Sequence, residues 1–170
     1  DEAAGVFTIP ARTTAVFVSA QPLSRPLPPS TLDWVGDMFP AGGTANEVTQ
    51  AAADRDLDIY VQVYEPGVTE AAGEPVPASI SCSLHWGAYG STWNDLPMTW
   101  NAQKGNNDEY RATLSQSLLN TLAPGTYGFT TFCRREGEDP LWRQDAGGDG
   151  LLTVLPAADA SPAPEGGVFV

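Results

Sequence analysis

Residues 56–64 read Asp-Leu-Asp-Ile-Tyr-Val-Gln-Val-Tyr. In an extended chain Leu57, Ile59, Val61 and Val63 fall on one side, and Asp58, Tyr60, Gln62 and Tyr64 on the other. A period of two marks a strand with one buried face. Residues 79–86 repeat it: Ile80, Cys82, Leu84 and Trp86 share a face, opposite Ser79, Ser81, Ser83 and His85. Further strands are expected over 108–114, over 127–133 with Tyr127, Phe129, Thr131 and Cys133 aligned, and over 150–155. Glu65-Pro66-Gly67, Lys104-Gly105-Asn106-Asn107, Pro124-Gly125 and Gly147-Gly148-Asp149-Gly150 supply turns between them. No segment sustains a helical period, and only Ser115 to Leu122 offers a short helical turn. Short strands with frequent turns predict an all-β, antiparallel sandwich.

The composition agrees. Gly and Pro number 17 and 15 in 170 residues, too many for a helical bundle. Eight Lys and Arg against 21 Asp and Glu give a net charge of −13, which excludes a phosphate-binding nucleic-acid partner. No apolar run reaches the roughly 18 residues that a membrane helix needs. No signal peptide opens the sequence, so an exported protein is expected here in processed form.

The chain divides into four parts. Residues 1–20 form a strand-like arm, residues 21–31 a linker with four Pro, residues 32–155 the sandwich body, and residues 156–170 a Pro/Ala/Gly-rich tail.

Cys82 and Cys133 are the only cysteines, 51 positions apart, each on the inward face of an expected strand. A bond between them would tie two core strands, as in immunoglobulin-like sandwiches, and would contribute about 4 kcal/mol by loop closure. Two buried thiols fit the same positions as small apolar groups. The expectation is the bond, and with it an extracellular setting.

No catalytic residue is expected. His85 is the single histidine, on the polar face of its strand, and no Gly-x-Ser-x-Gly elbow accompanies it. One His and two strand cysteines do not make a zinc site. Asp108, Asp145 and Asp149 lie in or beside turns rich in oxygen ligands and are weak calcium candidates, although Asp in a turn commonly serves the backbone. No cofactor is expected otherwise.

The aromatics carry more. Trp86, Tyr89, Trp93 and Trp100 fall within fifteen residues, and Trp142 follows the second cysteine. Trp86 shares a face with Cys82 and reads as core. Trp93, Trp100, Trp142, His85 and Tyr89 are candidates for contact with a carbohydrate or a protein partner, since an exposed aromatic face stacks on a sugar ring while Asn and Asp bond its hydroxyls.

Residues 5–18, GVFTIPARTTAVFV, resemble the closing hairpin of the C-terminal β-domain of pullulanase-type enzymes of the α-amylase superfamily. Residues 32–155 resemble accessory β-sandwich domains of secreted amylases and pullulanases. The matching stretches are Trp34, 38–43, 59–69, 82–87, 105–110, 124–133 and 150–154. The segment from His85 to Trp100 is loosely similar to starch-binding modules. The resemblance implies a non-catalytic extracellular module that binds a glucan or spaces domains; the family's catalytic acid and nucleophile have no counterpart here. The arm carries a second expectation. Val6, Phe7, Ile9, Val16, Phe17 and Val18 form an apolar strand pair that could add to a neighbouring identical subunit and polymerise it into a filament.

Overall fold

A computed structural model of the chain describes residues 26–74 and 80–157. Its elements are β1 (Trp34–Phe39), β2 (Ala45–Thr49), β3 (Leu57–Tyr64), β4 (Ile80–Ala88), β5 (Asn94–Pro97), β6 (Thr99–Lys104), β7 (Asn107–Leu114), α1 (Gln116–Leu119), β8 (Gly125–Arg135), β9 (Leu141–Trp142) and β10 (Gly150–Leu155). Residues 1–25, which hold Val6, Phe7, Ile9, Val16, Phe17 and Val18, lie outside the described residues, as does the tail from residue 158.

Alternation in β3 is reproduced in space. Ile59, Val61 and Val63 are completely buried while Asp58, Tyr60 and Gln62 are only partly covered. β3 sits inside a four-stranded sheet of order β1-β3-β7-β6. The second sheet has the order β2-β10-β8-β4-β5, with β9 added to the free end of β8. Leu84, Phe129, Leu152 and Val154 of this sheet meet Val35, Ile59, Val61, Val63 and Leu114 of the first in one core. Each such Val or Leu contributes roughly 1.5–3 kcal/mol through burial. The protein is thus an all-β sandwich.

The sheets are not purely antiparallel: β2 runs parallel to β10, pairing Ala45 with Leu151 through Thr49 with Leu155. β1 is an edge strand of one sheet and β2 an edge strand of the other, so the chain changes sheets between Phe39 and Ala45. A second crossover occurs at Met98. β5 and β6 are separated by this one buried residue, whose N–H donates to the Cys82 carbonyl at 2.9 Å as the chain passes from one sheet to the other.

Cys82 and Cys133 are bonded, with Cα atoms 4.0 Å apart. They stand directly opposite each other on β4 and β8, neighbours within one sheet. The bond therefore joins two strands that already share a ladder, and does not span the sandwich. At this end the sheets are linked by an ion pair instead: the Arg135 guanidinium of β8 lies 2.9 Å from Oε1 of Glu65, the residue after β3.

The expected helical turn is α1. The Ser115 hydroxyl caps it by accepting from the Leu118 N–H at 3.2 Å, and Leu119 is buried beneath it. At the following corner the Tyr127 hydroxyl donates to the Ala123 carbonyl at 3.0 Å.

Candidate functional site

The period-two rule that sends Cys82 and Leu84 inward sends Ser83, His85 and Gly87 to the outer face of β4. The β4–β8 register sets Phe132, Thr130 and Gly128 opposite them. β9 adds Trp142 beside Phe132, and β5 adds Asp95 beside His85. Four of the residues singled out from sequence, Tyr89, Trp93, His85 and Trp142, thereby meet on one surface.

They form a continuous aromatic run. Ring centroids are 5.6 Å apart for Tyr89 and Trp93, 5.3 Å for Trp93 and His85, 5.4 Å for His85 and Trp142, and 4.8 Å for Trp142 and Phe132. Trp142 and Tyr89, near the two ends, are 44% and 52% exposed. Phe132 is buried although it points away from the core, with Trp142 packed against it.

Two glycines make room for Trp93. A Cβ on Gly87 would stand 2.7 Å from Cδ1 of Trp93, and one on Gly128 would stand 2.5 Å from its Cη2. The indole occupies the trough between these bare backbones, and its Nε1 donates to the Ala88 carbonyl at 3.1 Å. The Tyr89 hydroxyl donates to Oδ2 of Asp149 at 3.2 Å; burial first, then the Asp149 carboxylate, raises its phenol pKa.

Polar groups border the aromatics. His85 Nδ1 and Asp95 Oδ1 are 2.6 Å apart, which fixes the imidazole between the two indoles. Arg143 lies almost wholly buried beside them, its Nε donating to the Thr130 hydroxyl at 3.0 Å and its Nη1 bridging to Asp145 Oδ2 at 3.0 Å. Phe132, Asp95, Arg143 and Thr130 were not singled out from sequence. The signal for them is the β4–β8 register, which single-strand alternation does not supply.

Trp100 lies elsewhere. It is on β6 in the other sheet, partly buried against the core, and its Nε1 donates to Asp108 Oδ1 at 3.0 Å. Asp108 is completely buried; that burial raises its carboxyl pKa, the Trp100 N–H bond lowers it in part, and Glu74 raises it further.

The calcium candidates are likewise apart: Asp108 serves Trp100, Asp145 pairs with Arg143, and Asp149 accepts from Tyr89. Among the described residues no group of three or more His, Cys, Asp and Glu is placed to hold a metal ion. The glycine-rich loop before β10 has another use. Gly147 and Gly148 pack against Gly42, where a Cβ would stand 2.8 and 3.0 Å from Gly147 atoms, and the Gly43 N–H donates to the Asp149 carbonyl at 2.8 Å. Both Gly-Gly pairs permit this backbone-to-backbone approach. Among the described residues no helix is long and apolar enough to cross a membrane. No protein-family model matches the chain, and no curated protein matches it significantly.

Proposed function

We propose that the chain is a non-catalytic extracellular β-sandwich module that binds neutral polysaccharide on the outer face of the β8-β4-β5 sheet. The observation that carries this is the contiguous run Tyr89–Trp93–His85–Trp142, with Trp93 seated over Gly87 and Gly128, edged by Asp95 and Asp149 and exposing Tyr89 and Trp142. Exposed aromatic rings with carboxylate and hydroxyl neighbours match the alternating apolar and polar faces of a sugar chain. A net charge of −13 disfavours anionic chains. The resemblance to pullulanase-associated domains favours an α-glucan. The disulfide fits an oxidising compartment.

The strand order supports an immunoglobulin-like assignment. β1-β3-β7-β6 corresponds to A-B-E-D, and β2-β10-β8-β4-β5 to a G-F-C sheet extended at both edges. The Tyr127–Ala123 bond at the start of β8 has the form of a tyrosine corner. On this assignment the disulfide joins strands C and F rather than B and F. The filament reading rests on the arm over residues 1–20, outside the described residues.

Electrophoresis through gels containing starch or pullulan tests the proposal. The protein is expected to be retarded, and Trp142→Ala to migrate freely while still unfolding in one cooperative transition. Equal migration with and without polysaccharide would overturn it.

A further inference from the structure

The opposite face of the sandwich carries a second constructed surface. Phe39, Tyr60, Asn101, Lys104 and Glu109 line an open depression of about 310 Å³ on the outside of the β1-β3-β7-β6 sheet, at the lower end of the size range of ligand sites. Two strand irregularities aim side chains over it, one at each edge of the sheet. In β1 the register slips between Gly36 and Phe39, with Asp37 in the left-handed region at φ 49°; Met38 is buried and Phe39 is turned outward, 63% exposed. In β6 the register slips between Trp100 and Ala102, so Asn101 is the extra residue, and its amide donates to Glu109 Oε1 at 2.6 Å. Bulges re-aim side chains and recur beside functional sites. Here two of them, on different strands, converge on one depression.

The chemistry of the lining is that of a sugar subsite. The Phe39 and Tyr60 rings stand 6.4 Å apart, inclined at 51°, and supply its apolar side. Glu109 Oε1 takes both the Asn101 amide and, at 3.5 Å, the ammonium of Lys104, the only lysine of the chain. Among the described residues Glu109 Oε2 has no such partner and is left to accept from a hydroxyl. Lys104 and Asn101 keep further donors for hydroxyl oxygens.

We propose that this depression is a second binding site for a neutral pyranose chain, so that one module holds two stretches of polysaccharide on opposite faces. The inference takes its ligand class from the proposed function above, but its residues are separate. Two linked sites raise retention on a polymer well beyond either alone.

Calorimetric titration with maltoheptaose and with cellohexaose tests it, using the whole chain. At least one of the two sugars is expected to fill two sites. Phe39→Ala, at an exposed position, and Glu109→Gln are each expected to weaken one of these by up to about tenfold, leaving the site that Trp142→Ala removes. One site, lost in Trp142→Ala and unchanged in Phe39→Ala and Glu109→Gln, overturns the second site and leaves the first standing. One site lost in Phe39→Ala and unchanged in Trp142→Ala supports this inference and overturns the reading of the β8-β4-β5 face. Heats at the level of dilution with both sugars overturn both.

Discussion

The indole of Trp93 lies over the bare Cα of Gly128, where a methyl group would stand 2.5 Å from Cη2. Gly128 is therefore a positioning residue for the aromatic face. Gly128→Ala is expected to lift Trp93, shift its fluorescence and reduce retention in polysaccharide gels, at a stability cost of about 1–3 kcal/mol from overpacking. Unchanged emission and retention would show that the trough does not set the indole.

Trp100 separates structural from binding aromatics. Its N–H is the donor to Asp108 Oδ1 inside the sandwich. Trp100→Phe leaves that buried oxygen without this donor and is expected to cost about 1–3 kcal/mol in urea unfolding, with retention on polysaccharide unaltered. Loss of retention at full stability would place Trp100 in the binding surface.

Asp108 makes stability depend on pH. Burial raises its pKa in the folded state, so folding favours the protonated form. Its favourable contribution is complete below the ordinary carboxylate pKa and is lost as pH rises through the elevated folded value. Asp108→Asn does not titrate. The melting temperature of the variant relative to the parent is expected to rise as the pH is raised through and above the ordinary carboxylate range. A constant difference across that interval contradicts the assignment.

The disulfide acts within one sheet. Replacing both Cys82 and Cys133 by Ala is expected to lower unfolding free energy by about 2–4 kcal/mol. The β4–β8 ladder and the outer aromatic face should persist, because nine residue pairs, Ile80–Arg135 through Ala88–Tyr127, hold the register. Loss of the indole–imidazole arrangement in the double variant would show that the bond, not the ladder, fixes the face.

The strands legible in sequence are those with one unbroken buried face: β3, β4, β7, β8 and β10. The others hide for identifiable reasons. β1 contains Gly36 and the left-handed Asp37, so its alternation resets before Phe39. The extra residue Asn101 does the same in β6 and turns Trp100 away from the surface group. β2 and β5 are polar edge strands, Asn94-Asp95-Leu96-Pro97 offering no period, and β9 has two residues. Clustering of Trp93, His85 and Tyr89 in sequence pointed to the β4–β5 region. That Trp142 and Phe132 complete the surface depends on cross-strand register, which forms only when distant segments pair. The direction of the disulfide was hidden for the same reason: alternation places both sulfurs inward but does not say whether their strands share a sheet.

The chain has five tryptophans, and each gives one indole N–H signal in a nitrogen–proton correlation spectrum. Titration with an α-glucan oligosaccharide is predicted to move the Trp93 and Trp142 signals together along one saturable curve, with the core-packed Trp86 and Trp100 signals nearly still. Saturating sugar that leaves Trp93 and Trp142 unmoved would contradict a binding surface on the β8-β4-β5 sheet.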